Sequence, residues 1–543
     1  MKKRTLSSET LIIAVSIYIA SVTNLTFWRE LFARLDIFSI QGFGYVFTSF
    51  FVIVFVISTL FFSLGHKRLL KPILIAFLIL SATIAYFNHE LGVIIDKEMV
   101  RNIVETIKDY NVNEARELLS YPLFFYILIF GVLPSIAVIL VNTRHDSKRK
   151  MFLSRGLFAI SLLTIALSTF ILNNKFYTYF YRGNEDLLAY VTPIYPIVAV
   201  KKYIKRQMKE GYVFHEVADD VHRAKPNKKR TVGIMVVGET ARADHFSLSD
   251  YQRQTNPTLS RISNLIYFKN THSCGTSTAY SVPCMFSFFD EKNYSPEKAQ
   301  QYSNVLDVLE KSDVKVVWEE NNSSCKGVCA RVKEINLIGH KDKKSAYYID
   351  GQYYDEVMLD TLGDVIKETG SDVLLVLHTM GSHGPKYFNR YPESAAVFKP
   401  FCKSATPQEC NKEEIVNAYD NTILYTDHFL GLVIDYLEKH KSSYDSFMIY
   451  ASDHGESLGE NGIYLHGLPN FIAPEAQTHI PFFMWFSNNF ADDNNIDLNI
   501  LKQRTEVEYS HDNLSHTLLG IYGIETSVYD KDLDILNQAI RIN

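Results

Sequence analysis

The chain has 543 residues, too many for one ordinary domain and enough for two with substantial cores. Its 55 Lys and Arg against 60 Asp and Glu give a net charge of −5, which excludes the basic surplus expected of a nucleic-acid binder. The average conceals an asymmetry: residues up to about 175 are rich in Phe, Ile, Leu and Val, and the rest reads as a soluble α/β protein.

Five apolar runs come first in chain order, at roughly 10–28, 43–64, 70–88, 118–141 and 156–174. Each is long enough to cross, or nearly cross, a hydrocarbon core as a helix, and their centres carry no Asp, Glu, Lys or Arg. Such a succession favours membrane spans over buried helices of a soluble core. Lys2, Lys3 and Arg4 precede the first run, "GHKRLLK" (65–71) joins the second to the third, and "NTRHDSKRKMFLSR" (142–155) joins the fourth to the fifth. The positive-inside rule then makes the N-terminus cytoplasmic and places everything after about 175 outside. The first run also has the basic start of a signal peptide; with four more spans behind it, it reads as an uncleaved anchor.

Between the third and fourth runs, residues 87–120 repeat apolar side chains at three-to-four spacing, predicting a helical outer loop. "KFYTYFYRG" (175–183) has the aromatic density of a membrane–water boundary, and "IVAVKKYIKRQMKEG" (197–211) predicts a short basic amphipathic helix on the surface. The polar stretch 215–230 reads as a flexible linker. The expected layout is therefore a transmembrane domain at 1–175 with its outer loop at about 87–118, an interfacial helix and linker at 176–230, and an outer domain at 231–543.

From 231 the pattern becomes β–loop–α. "TVGIMVVGET" (231–240), "VKVVWEENN" (314–322), "VLLVLHTMGSHG" (373–384), "SFMIYASDHGES" (446–457) and "IPFFMWFS" (480–487) are apolar β-branched or aromatic runs ending in polar or small residues. Runs of this kind predict a parallel sheet covered on both faces, with ligands at the carboxyl ends of its strands.

All six cysteines, Cys274, Cys284, Cys325, Cys329, Cys402 and Cys410, fall in the part assigned to the outside. An even number in an oxidising compartment reads as disulfides, and nearest neighbours give 274–284, 325–329 and 402–410, one of about fifteen connectivities. Only 325–329 has a spacing short enough to suggest zinc, and no CxxC is present.

Four predicted strand ends carry potential ligands for a divalent metal: Glu239; His378 and His383; Asp453 and His454; and His466 shortly after. A single histidine there would be incidental, but carboxylates with imidazoles on one sheet edge form the donor set of catalytic zinc. The loop "SCGTSTAYSVPC" places Thr276, Ser277 and Thr278 between two cysteines. It reads either as a stapled surface turn with solvated hydroxyls or as a loop that fixes a metal-activated nucleophile.

"VVGETARADHFSL", "SCGTSTAYSVPCMFS", "HTMGSHGPKY" and "ASDHGESLGENGIYLHGLPNFIAPEAQTHIPFFMWFS" resemble the signature blocks of the lipid A phosphoethanolamine transferases, a family that includes the mobile colistin-resistance enzymes. The resemblance covers the whole chain. It implies five spans followed by a periplasmic domain of alkaline-phosphatase or sulfatase-like fold, in the bacterial inner membrane. It implies zinc, one or two ions, on Glu239, Asp453 and His454, with Thr278 as nucleophile and ligand. His383 and His466 match positions that contact phosphate or a second zinc, and His378 and Lys326 match further substrate-side positions. Asn102, Thr106 and Glu114 are the matching headgroup-pocket residues, although Glu114 lies eight residues beyond Thr106, about one helical turn more than the family implies. The implied donor is phosphatidylethanolamine, the acceptor lipid A, the product polymyxin and colistin resistance, and the expected state a monomer.

Three rivals are distinguishable. A sulfatase of this fold needs a Cys or Ser in a C-x-P-x-R context, and "PCMFSFF" around Cys284 has its proline before the cysteine and no arginine after it. The same donor can serve a core heptose, a periplasmic glucan or a surface protein, which motifs at the zinc do not report. A sensor or scaffold that binds without turnover would have lost ligands, and here every inferred position is filled.

Overall fold

The computed structural model describes all residues except 1–4, 65–67, 109–118, 146, 173–179, 181–183, 210–212, 225–228, 338–344, 350–351, 405–406 and 540–543. The chain divides into two compact units, one of residues 1–100 and 119–208, the other of 101–118 and 209–543.

The first unit is helical. Its helices are α1 (Ser8–Val22), α2 (Leu25–Arg34), α3 (Ile40–Leu64), α4 (Leu70–Tyr86, continued by a wider turn to Leu91), then α5 (Lys97–Lys108), which crosses the boundary between the units. After it come α6 (Tyr121–Leu140), α7 (Lys148–Leu172) and α8 (Ile194–Lys209). Three of them, α3, α4 with its extension, and α6, are long and apolar enough to cross a membrane, with mean hydropathies of 2.4, 2.0 and 2.6. They occupy the second, third and fourth expected runs. α7 occupies the fifth, but many of its side chains lie outside the described residues.

The first expected span is not straight: α1 and α2 meet at a bend of 54°, so the described residues contain three spans, or four if the bent pair is one. Polar side chains at the break account for the bend. Thr23 Oγ1 and Asn24 Nδ2 both donate to the carbonyl of Ile19, at 2.9 and 2.8 Å, competing with the helical ladder. Asn24 also donates to the Thr192 carbonyl at 2.7 Å and accepts from the Thr192 amide at 2.8 Å, so one buried amide ties the break to a distant segment. Around it Ile12, Ile19, Leu31, Ile57, Phe61 and Leu74 are fully or almost fully buried.

The second unit is built on a seven-stranded sheet. In chain order its strands are β1 (Thr231–Gly238), β2 (Leu265–Phe268), β3 (Lys315–Glu320), β4 (Lys333–Asn336), β5 (Val373–His378), β6 (Asp445–Ser452) and β7 (Phe482–Phe486). Their spatial order is β2-β7-β6-β1-β5-β3-β4. The five strands from β6 to β4 run parallel. β7 is antiparallel to both neighbours, a departure from the all-parallel expectation. The cause is connectivity: the chain returns from β6 to β7 through the loops of 453–481 without a long crossover helix, so it re-enters from the opposite end. The short edge strands β2 and β4 were not among the expected runs.

Alternation along β1 feeds two cores. Met235 and Val237 pack with the helices α9 (Thr278–Met285), α10 (Val305–Lys311) and, near the C-terminus, α13 (Asp512–Ile521). Val232, Ile234 and Val236 pack on the other face with α11 (Leu359–Thr369) and α12 (Lys412–Lys439). Much of the expected linker also belongs to this unit. Val217 and Val221 pack on the first core, His215 exchanges backbone hydrogen bonds with Gln301 and Ser303, and Arg223 pairs with Asp372 at 2.7 Å. Apolar residues spaced through a polar stretch thus dock it on the sheet domain.

Replacing Asn24 by Leu leaves the Thr192 amide and carbonyl without their partner in an apolar surrounding. The detergent-solubilised Asn24→Leu protein should lose about 1–3 kcal/mol of stability, read as a lower thermal midpoint; an unchanged midpoint would show that the buried amide knot carries no stability.

Candidate active site

The carboxyl ends of the parallel strands converge on one buried polar cluster. Glu239 follows β1, Asp453 and His454 follow β6, and all three are fully buried. Asp453 Oδ1 accepts from the backbone amides of His454 and Thr240, at 2.7 and 3.2 Å, which aims its second oxygen into the cluster. That oxygen, Oδ2, is buried and has no hydrogen-bond donor among the described residues. Thr240 holds a left-handed φ of +51°, with its carbonyl taking the Tyr419 hydroxyl at 2.7 Å. His454 donates from Nδ1 to the Gly455 carbonyl at 2.9 Å, so Nε2 presents a lone pair, 3.3 Å from Asp453 Oδ2 and 3.5 Å from Glu239 Oε1.

Thr278 completes the group. It opens α9, with Ser277 extended before it, and its Oγ1 lies 3.1 Å from Glu239 Oε2, 3.3 Å from Oε1 and 3.4 Å from His454 Nε2. The structure pairs Cys274 with Cys284, closing a ring around the start of this helix, and also Cys325 with Cys329 and Cys402 with Cys410. The three hydroxyls of the loop have separate fates. Thr276 donates to the Leu468 carbonyl at 2.5 Å, Ser277 is the helix N-cap residue, and only Thr278 enters the cluster.

The electrostatics call for a cation. Burial, then the neighbouring Asp453, pushes Glu239 well above the ordinary carboxylate range, and burial raises Asp453 to about 6. Burial, then His466, keeps His454 neutral by holding it well below the usual imidazole value. Two carboxylates, an imidazole lone pair and an orphaned carboxylate oxygen facing one another fit a divalent ion and little else. The ligand atoms of Glu239, Asp453 and His454 all lie within 4.8 Å of one another, and so do those of Glu239, His383 and His466.

His466 donates Nδ1 to Glu456 Oε2 at 3.0 Å; burial alone would lower it, but that carboxylate drives it up to about 9. Its ring centroid lies 4.3 Å from that of His454 and 5.6 Å from that of His383. His383 is held far below its ordinary value by burial, then by Arg390, His466 and Lys326. Lys326 sits in the Cys325–Cys329 ring with φ +50° and its Nζ 2.8 Å from Ser323 Oγ.

His378, the last residue of β5, is fully buried, with Nδ1 2.9 Å from Glu320 Oε2 and its ring against Trp318. It belongs to neither potential metal group, but its Nε2 has no hydrogen-bond partner among the described residues, and His378 is near enough to Glu239 to act on its carboxyl. Asn102 lies half-buried on α5; the side chain of Thr106 and the whole of Glu114 lie outside the described residues.

Three supporting residues escaped the sequence reading. Asn322 donates Nδ2 to Glu239 Oε2 at 2.7 Å and to the Thr379 carbonyl at 3.0 Å. Glu456 holds His466, and itself accepts the Tyr387 hydroxyl at 3.1 Å. Asp355, buried, accepts from the amides of Met380 and Gly381 and from Asn321, at 2.8–2.9 Å, fixing the loop that carries His383. Gly381 in that loop has φ +49°, and a Cβ there would lie 2.8 Å from the Glu239 carbonyl. Asn322 and Glu456 sit inside the quoted motifs, but nothing in the local pattern marks Asp355.

Comparison with known proteins agrees with this geometry. A family model described as sulfatase matches residues 232–524, and one described as phosphoethanolamine transferase EptA/EptB matches 50–208. Phosphoethanolamine transferase EptA of Escherichia coli K12 is 35% identical over 100% of this chain and 99% of its own length. The chain belongs to the phosphoethanolamine transferase family. Phosphatidylethanolamine transferase Mcr-1 of Escherichia coli is 36% identical over 96% of each chain. The solved structure of the integral membrane lipooligosaccharide phosphoethanolamine transferase A of Neisseria meningitidis matches with a TM-score of 0.94 and 34% identity, over 99% of this chain and 100% of that one. A family member with this cluster has two repelling carboxylates that a cation would relieve.

Asp453→Asn keeps the acceptor oxygen for the two amides and removes one buried charge. It should stabilise metal-stripped protein by about 1–3 kcal/mol, read as a higher thermal midpoint, and abolish the further rise on adding zinc. A variant that still responds to zinc as the parent does would exclude Asp453 from the metal group.

Proposed function

We propose that this transferase moves phosphoethanolamine from phosphatidylethanolamine to a phosphate of lipid A, through a covalent ester on Thr278, at the outer face of the bacterial inner membrane. The observation that carries the reading is the single threonine hydroxyl within 3.1–3.4 Å of Glu239 and His454 at the start of a helix. Glu239, Asp453 and His454 would hold zinc beside it. Zinc, when bound, lowers the barrier to ionising a hydroxyl and offsets charge on phosphoryl oxygens.

In the first step Thr278 Oγ1 forms a bond to phosphorus, the bond from phosphorus to the glycerol oxygen breaks, and the hydroxyl proton ends on diacylglycerol. His466, kept charged by Glu456, is the histidine suited to deliver a proton to that leaving oxygen, regaining one as the threonine proton is released, so that the net transfer is from Thr278 to diacylglycerol. In the second step a lipid A phosphate oxygen attacks the Thr278 ester and the threonine hydroxyl is restored. Asn322 and the two amides on Asp453 hold the carboxylates still, so little reorganisation accompanies the change in charge. Lys326 and the amide end of α9 supply further positive potential for the phosphoryl group.

Three disulfides in the second unit suit an oxidising compartment, which supports the periplasmic assignment made from the loop charges. Five spans, with α7 as the last, would give the odd number of crossings this needs. Adding an amine to lipid A reduces its negative charge, and with it the local concentration of polycationic antibiotics such as colistin.

Mass spectrometry of lipid A from cells expressing the parent should show the added phosphoethanolamine, reduced roughly 1,000-fold or more by Thr278→Ala. Equal modification in both would reject Thr278 as nucleophile, and an added group on core heptose or glucan instead would move the acceptor.

A further inference from the structure

The loop that follows His466 has a property the chemistry at the cluster does not use. From Gly467 to Pro474, eight consecutive residues carry no ionisable side chain, where the chain's 21% charged composition would place about two. Leu468 and Pro469 are buried, and the chain then turns outward through Asn470–Ile472 to leave Phe471 68% exposed. Among the described residues of the second unit it is the most exposed large hydrophobic side chain, ahead of Val397 and Val213 at 66% and 65%. Isolated apolar residues on a surface are ordinary. This one sits on a loop bonded to the segment that carries Thr278.

The exposure is built in. Thr276 Oγ1 donates to the Leu468 carbonyl at 2.5 Å, and Asn470 Nδ2 donates to the Cys274 carbonyl at 2.9 Å, so two bonds lock the loop to the segment that carries Thr278. Behind it Gln477 accepts from the Leu468 amide at 3.2 Å and donates to the Leu465 carbonyl at 3.0 Å. Ile472 and Pro474, both half-buried, continue the uncharged face beside the phenyl ring. A loop anchored on both sides with its largest apolar group outward pre-organises a contact instead of collapsing onto its own core.

We propose that Phe471 is a lipid-contacting wedge. It enters the apolar layer of the leaflet that supplies the diacyl donor, bringing the Thr278 segment to the headgroup plane. The assignment rests on the lipid-donor reading above. A phenyl ring on the uncharged stretch 467–474 matches the acyl–glycerol boundary of a membrane lipid, with the first exposed charge, Glu475, only after it. Phe471 therefore acts on how substrate is reached and touches no reacting atom.

The full-length protein in nanodiscs containing phosphatidylethanolamine tests this directly. Tryptophan emission added by Phe471→Trp, after subtraction of the parent spectrum, should fall about twofold when the lipids carry bromine on their acyl chains. No quenching overturns the proposal. In a second arm, Phe471→Ser should lower kcat/KM for bilayer phosphatidylethanolamine about 10-fold more than for a water-soluble dibutanoyl analogue, read as diacylglycerol release. An equal fall with both donors would overturn it in favour of a contact to the acceptor sugar or a purely structural loop, and no fall with either would leave the ring to a protein partner. Quenching decides the lipid contact even if neither donor turns over, an outcome that would sink the transfer reading alone.

Discussion

The second unit is organised around an unfavourable interaction: Glu239 and Asp453, two fully buried carboxylates, are held close enough for each to disfavour the other's charge. Neither can turn away. Asn322 grips one oxygen of Glu239, and two backbone amides grip one oxygen of Asp453. Such a pair is relieved by a proton on one carboxyl or by positive charge between its free oxygens, and the neutral lone pair of His454, pointing into the same space, favours the second. The folded protein therefore carries a standing electrostatic demand that a dication meets, and the hydroxyl of Thr278 lies where that demand is concentrated.

The rest of the sheet domain can be understood as what makes this tolerable. Four parallel strands bring Glu239, Asn322, the loop of His383, and Asp453 with His454 to one edge from four distant parts of the chain. Apolar cores on both faces supply the stability that offsets the buried charges. Local strain gathers at the same edge: Thr240 is left-handed, and Gly381 passes so close to the Glu239 backbone that no larger residue fits. These features cost stability and gain only position, the usual economy of an active site.

Much of this was legible beforehand, for identifiable reasons. Strand runs such as 231–238 and 445–452 are buried on both sides, so they are apolar throughout and easily seen; the ligands sit directly after them, where the polypeptide must become polar. The antiparallel entry of 482–486 was not legible, because strand direction depends on the connecting chain and not on strand composition. The break at Thr23–Asn24 was missed because a window of hydropathy hardly registers one Thr and one Asn, yet those side chains compete with the helix ladder. That Nδ1 of His378 meets the buried carboxylate of Glu320 was not legible either, because it depends on the register between two strands far apart in the chain. Asp355 gives no signal at all, since its value lies in which amides it meets, Met380 and Gly381, about twenty-five residues away along the chain.

The same logic separates the two metal-competent groups. Both use Glu239, but their other members live under different electrostatic conditions. His454 is neutral with Nδ1 committed to a carbonyl, the state in which an imidazole binds a metal. His466 faces Glu456 and holds its proton, so a cation on Glu239, His383 and His466 would first have to displace that proton. Affinity in the second group should therefore fall as pH falls, while an acid form of His466 remains free to serve a leaving oxygen. On the proposed mechanism the two uses of His466, ligand or acid, would exclude one another, and its contact with Glu456 favours the protonated form.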